Sequence, residues 1–150
     1  MSREYRKIGF KGEEVILRWQ TTRNGGLEVE KHELTSKDPP LESFHEALQA
    51  FRDWLGTVLE VGIDGIGISS VSINHEEDRR GFVVTALKAL PSYFNAPLVL
   101  NTPHLREIVD EDDGPGFADA DLVELVDALE KEADRYLKGE RQQGELFPAA

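Results

Sequence analysis

The residues best equipped for chemistry in this chain are four histidines and a crowd of carboxylates, and their spacing limits what they can do. His32, His45, His75 and His104 lie far apart. No His-x-x-x-His or His-Glu-x-x-His spacing sets two ligands on one helix face, so a metal site would depend on the fold to gather them. His75-Glu76-Glu77-Asp78 is the densest set of potential ligands, but it runs into Arg79-Arg80 in what reads as a hairpin connection, where such charges face water. Asp110-Glu111-Asp112-Asp113, followed by Asp119 and Asp121, invites a calcium loop. Counted from Asp110, however, Pro115 falls where that loop turns on glycine, and Asp121 falls where its bidentate glutamate belongs. The segment is expected to be a solvated acidic loop.

Nucleophile and phosphate signatures fail in the same way. Gly67-Ile68-Ser69-Ser70-Val71 lacks the closing glycine of a nucleophile elbow, and the glycine-rich run Gly62 to Gly67 has no Gly-Lys-Ser or Gly-Lys-Thr ending. With no cysteine, the chain has no thiolate nucleophile, no disulfide and no cysteine-ligated zinc. No carboxylate is marked by an apolar setting that would raise its pKa. No catalytic, cofactor-binding or metal-binding residue is therefore assigned. An enzyme or small-ligand binder would need His75, Asn101 and His104 to converge in one pocket.

The elements that would position these groups follow from hydrophobic periodicity. Val15, Leu17 and Trp19 alternate with more polar neighbours, Asn24-Gly25-Gly26 supplies a turn, and alternation resumes at Leu27, which predicts a β-hairpin over residues 14–34. Tyr5 to Phe10 is expected to add a strand before it, turning at Lys11-Gly12. Asp38, Pro39 and Pro40 end the sheet pattern and suit a helix entry. Leu41, Phe44, Leu48, Phe51, Leu55, Val58 and Leu59 then form one apolar stripe, so a helix is expected over about 41–60, ending near Gly62. Ile66 and Ile68 occupy one alternation phase and Val71 and Ile73 the other. A strand here is either buried on both faces or shifted by a bulge near Ser69-Ser70. Phe82 to Leu90 reads as a strand because of Val83, Val84 and Thr85, with a helix as the competing reading through Ala86 to Leu90. Pro97 to Asn101 is a third short strand. Leu122, Leu125, Val126, Leu129, Ala133, Tyr136 and Leu137 define a last helix over about 119–138, stopped by Gly139.

The expected fold is thus α+β: two β-meanders forming an antiparallel sheet, covered by two helices, in the order βββαβββα. Residues 1–138 would make a single domain and residues 139–150 a flexible tail. Trp19 and Trp54 fall on core-facing phases and are assigned to packing. No stretch approaches the roughly 20 apolar residues needed to span a bilayer, and the polar start of the chain does not read as a signal peptide. The expected location is the cytoplasm.

Charge narrows the choice of partner. The chain has 17 Lys or Arg against 29 Asp or Glu, a net −12, and residues 91–150 hold 5 against 14. Such a surface repels phosphate backbones, which argues against nucleic-acid binding through a broad basic face and suits a basic protein partner.

The tail places two large apolar residues, Leu146 and Phe147, in a polar setting, where they ask for a groove to fill. Gln143-Gly144-Glu145-Leu146-Phe147 resembles the short peptide by which bacterial replication and repair proteins dock on the DNA polymerase sliding clamp. That pattern is a glutamine, two variable positions, then leucine and phenylalanine. Gly144 stands where a leucine is common. The resemblance implies that Leu146 and Phe147 enter the clamp's apolar pocket while Gln143 hydrogen-bonds at its rim. The chain as a whole also resembles small early-region proteins of tailed bacteriophages and prophages, which implies an accessory role near DNA replication or recombination and transfers no catalytic residue. The leading expectation is a non-enzymatic interaction protein that binds the sliding clamp through Gln143, Leu146 and Phe147. The alternative is an acidic DNA mimic or inhibitor that presents Asp110 to Asp121 and the acidic face of the last helix to a DNA-binding protein.

Overall fold

Alternation at the start of the chain produces a three-stranded meander, β1 (Arg3–Lys11), β2 (Glu14–Arg23) and β3 (Glu28–Ser36). Gly12 and Glu13 both take positive φ, 60° and 65°, which closes β1 onto β2 in a two-residue loop whose twist matches the strands. A single turn of 3-10 helix at Asn24–Gly26 joins β2 to β3. The computed structural model describes residues 3–60, 62–75, 79–90, 96–107 and 117–141, and only the backbone at 24, 59 and 117.

A second meander follows the first helical layer: β4 (Ile66–His75), β5 (Arg80–Lys88) and β6 (Leu98–Asn101). The expected strand over 82–90 is therefore found, as its β-branched residues imply, but it begins at Arg80 and ends at Lys88. Antiparallel pairing of β1 with β4 joins the two meanders into one sheet. Two short strands were not anticipated. β7 (Leu105–Glu107) pairs with β5 beyond β6, and β8 (Phe117–Ala118) runs parallel to β7. Three and two residues are too short to carry a readable period. The sheet order is β3-β2-β1-β4-β5-β7-β8, with β6 on β5 beside β7, so among the described residues β3 is an edge strand.

The phase change in β4 is a bulge. Ile68 pairs with Ala86 and Ser70 with Thr85, so Ser69 is the extra residue, and Ile66, Ile68, Val71 and Ile73 all reach the core. Gln49 completes it: its side-chain amide accepts from the Ile68 N–H and donates to the Ile68 carbonyl, both at 2.9 Å. Opposite the bulge, Gly9 is the only residue type that fits. A methyl there would lie 2.6 Å from the Ser69 carbonyl oxygen and 2.7 Å from the Ser70 Cβ.

The helical stripe from 41 is divided in two, α1 (Glu42–Gln49) and α2 (Phe51–Leu59), with Ala50 between them. Phe44, Leu48, Phe51 and Leu55 are buried as the period requires, whereas Val58 is 47% exposed. The helix ends at Glu60 in the left-handed conformation, ahead of Gly62. Asp38 does not cap it; Leu41 occupies the cap position without a side-chain bond, and Asp38 is used elsewhere. The last helix, α3 (Ala120–Leu137), matches its expected span. Asp119 accepts from the Leu122 N–H at 2.8 Å as its N-cap. Gly139, at φ 94°, closes the C-terminus, with the Gly139 and Glu140 amides bonded to the Tyr136 and Arg135 carbonyls.

α1 and α2 lie on β4, α3 lies on β1, and α1 packs beside α3. Between the helices and the sheet sits one core that includes Tyr5, Ile8, Leu17, Phe44, Val71, Phe82, Leu129 and Tyr136. The fold is α+β, a sheet covered on one face by helices, as the periodicity implied. No helix among the described residues is long and apolar enough to cross a membrane.

Candidate functional site

Residues Gln143, Leu146 and Phe147 lie outside the described residues, as do the acidic run 110–116 and residues 76–78. What the structure does describe is the segment just before Gln143, ending at Arg141. Arg141 is fastened there. Its Nη1 donates to Asp38 Oδ2 at 2.7 Å and its Nε to the Tyr136 carbonyl at 3.1 Å, while the guanidinium lies 4.0 Å from the Tyr136 ring centroid. Arg141 also pairs in antiparallel fashion with Pro40, and Tyr136 donates its hydroxyl proton to the Asp38 carbonyl at 2.7 Å. Asp38 is thus spent on holding the end of the chain instead of starting α1. Beside this anchor lies a cavity of about 320 Å³ lined by Phe10, Gly12, Glu13, Lys37, Pro39, Pro40 and His45, in which His45 meets Phe10 edge-on at 4.7 Å.

A larger groove, about 590 Å³, runs between α2 and the start of α3. Ala50, Trp54, Val58 and Leu125 give it apolar surface, and Asp53, Asp119, Asp121 and Glu124 bring four carboxylates to it. Trp54 therefore does more than pack: it is partly buried against the core and faces this groove. Trp19 is also only partly buried, stacked on His32 at 5.3 Å on the β2–β3 hairpin.

The most concentrated chemistry surrounds Arg80, which enters the covered face of β5. Its Nε donates to Glu107 Oε1 at 2.9 Å, its Nη2 to Asp127 Oδ1 at 2.9 Å and its Nη1 to Glu130 Oε1 at 2.5 Å, with the guanidinium 5.3 Å from the Phe82 ring centroid. The Glu107 carboxylate also accepts from the Arg80 backbone N–H at 2.8 Å. These bonds to Arg80 hold Glu107 below the usual carboxylate range. Glu130 goes the other way. Burial pushes its carboxyl up to about 7 against the pull of Arg80, and the negative charges of Asp127 and Asp134 add to the rise. A second tie lies nearby on α3: Tyr5 and Arg3 both donate to Asp134 Oδ1, at 2.5 and 3.1 Å.

A carboxyl titrating near neutrality is what a general acid needs. Glu130, however, directs its oxygen at Arg80 and lines neither the groove nor the cavity beside Arg141. The cluster joins β5, β7 and α3. The charged run from His75 to Arg80 was expected to face water; Arg80 instead is the first residue of β5 and turns in to these carboxylates, and nothing around Glu107 or Glu130 in the chain marks them as its partners.

The histidines remain apart. His32 meets Thr21 Oγ1 at 3.2 Å, and His75 places Nε2 2.7 Å from the Tyr5 carbonyl and Nδ1 3.3 Å from Glu4. His104 covers Gly81 on the face of the sheet away from the helices. Asn101 is on that same face, accepting from Thr85 Oγ1 at 2.6 Å, but Thr85 is four residues along β5 from Gly81, about 13 Å in an extended strand. His75, opposite Arg80, belongs to the other face. His75, Asn101 and His104 do not converge. Among the described residues, no three His, Asp or Glu side chains gather into a metal-binding group.

No family model, curated protein or solved structure matches this chain.

Proposed function

We propose that this protein is a non-enzymatic interaction protein, of the kind encoded in phage early regions, that docks through its C-terminal peptide on the bacterial sliding clamp. Gln143, Leu146 and Phe147 make the contact. The observation that carries the reading is the anchor at Arg141. The chain is tied to Asp38, Pro40 and Tyr136 two residues before Gln143, so the peptide leaves the domain from a fixed point on the surface. A short anchor on a folded carrier gains affinity from a few buried apolar side chains. The test is binding to a purified bacterial sliding clamp, with Leu146→Ala/Phe147→Ala as the control. Loss of the two side chains should weaken binding by a hundredfold or more, on the order of 3 kcal/mol for two hot-spot truncations. Equal binding by both forms would refute the reading.

A second reading draws on the groove between α2 and α3. Four carboxylates around an apolar surface suit a lysine- or arginine-bearing segment of a DNA-binding protein, the surface an acidic inhibitor would present. It predicts binding that falls steeply with salt and is lost on charge reversal at Asp53, Asp121 and Glu124.

A further inference from the structure

We infer that the β3 edge is a homodimer interface, at which two copies pair antiparallel about a twofold axis through His32; the inference is independent of the tail. Three observations carry it. First, β3 is a nine-residue edge strand that pairs with β2 through nine consecutive residues without a register shift and contains neither proline nor bulge. Natural edges of that length are usually shortened, bulged, covered or studded with charge, because a row of unpaired backbone groups is a template for another strand; of these devices β3 has only charge, at Glu28, Glu30, Lys31 and Glu33.

Second, the strand is complementary to itself in one register. With His32 on the axis, Lys31 of each copy stands opposite Glu33 of the other, Glu30 opposite Leu34 and Val29 opposite Thr35. Lys31 and Glu33 share the face of the sheet away from the helices, opposite Gln20 and Arg18 of β2, so both cross-axis pairs form on that face. Placing the axis on Lys31 instead would bring two lysines together. Val29, 51% exposed, would be covered by the pairing.

Third, the charge of the molecule is arranged to permit contact here. Residues 1–37, which contain the whole first meander, hold eight Lys or Arg against six Asp or Glu, whereas residues 38–150 hold nine against twenty-three. A chain of net −12 repels its own copy most strongly on the acidic side and least through the first meander, where the three glutamates of β3 are offset by Lys31 and by Arg18 and Arg23 of β2. The interface is isologous and closes at two copies.

The experiment is a charge exchange read by light scattering and sedimentation on the full chain. The wild type should show a dimer mass. Lys31→Glu sets two glutamates against each other twice across the axis, and Glu33→Lys does the same with lysines, so each variant alone should dissociate at least tenfold more readily. Mixed in equal amounts they restore both ion pairs and should return to the dimer mass. Both positions are exposed, and far-UV circular dichroism checks that each variant is folded. Because the chain has no cysteine, His32→Cys adds an independent readout. Residues facing each other across an antiparallel pair lie about 4.5–5.5 Å apart at Cα, within disulfide reach. His32→Cys should therefore oxidise to a covalent dimer while Glu28→Cys does not. A monomeric wild type, single variants that stay dimeric, or a mixture that stays monomeric would each overturn the inference.

Discussion

Arg80 stands at the mouth of a strand whose next inward side chains, Phe82, Val84 and Ala86, are buried and apolar, and it is tolerated there because three carboxylates from two elements take up its donors. Removing it would strand Glu107 and Glu130, both about 20% exposed, without their cation. Arg80→Ala should therefore cost about 3 kcal/mol in chemical denaturation, the scale for breaking one side of a largely buried pair. A cost under about 1 kcal/mol would mean that the cluster is no more than surface decoration. Glu130 adds a pH dependence of definite sign. Its carboxyl binds a proton more tightly in the folded chain, at about 7, than at its ordinary value of 4.5. The stability it contributes is complete below about pH 4.5 and is lost as pH rises through about 7. Arg80, Asp127 and Asp134 are the charged groups that act on it, and Glu107 shares Arg80 with the opposite sign, its contribution fading as pH falls. Glu130→Gln should remove the decline between pH 5 and 7.5, measured as the difference in unfolding midpoint from the wild type. An unchanged difference across that range would refute the assignment. None of this was legible in the sequence, where Glu130 is one acid among many on the last helix. Its perturbation comes from burial once the helix packs, which outweighs the pull of Arg80 from a strand fifty residues away.

At the scale of elements, the bulge in β4 shows what a period can and cannot reveal. The switch of phase between Ile68 and Val71 left either burial on both faces or a bulge near Ser69-Ser70, and the paired registers select the bulge. That Gly9 on a different strand must make room for it, and that Gln49 in α1 supplies its hydrogen bonds, are tertiary facts with no trace in local pattern. Gly9→Ala should destabilise the domain by about 1–3 kcal/mol, the usual range for forcing extra volume into a packed site. A neutral substitution would mean that the sheet can open at β1–β4 without loss. Long elements were readable because their apolar faces repeat: the first meander, the stripe from Phe44 to Leu55, and α3 from Asp119 to Gly139. β7 and β8 were not, being set by pairing to β5 and to each other. Nor was the division of the first helix at Ala50, since the apolar spacing from Leu48 to Phe51 continues through it.

Across the whole molecule, charge and anchoring separate three surfaces: a near-neutral first meander, an acidic groove between α2 and α3, and the anchor at Arg141, two residues before Gln143. The composition foretold the acidity but not its placement, because Asp53 and Asp121 meet only once the helices pack. The histidines and Asn101 that could have served an enzyme are held apart, His75 on one face of the sheet and His104 and Asn101 about 13 Å from each other along the opposite face. The tail reading rests on the five residues 143–147 and on the anchor two residues before them. It predicts that the domain does not depend on the tail, so a chain ending at Gln142 should keep the wild-type melting temperature. The most direct measurement is the affinity of the full chain and of that shortened chain for a purified bacterial sliding clamp under identical salt. Binding by the full chain and none by the shortened one is the predicted result. Equal affinity of the two, or no binding by either, would contradict the account.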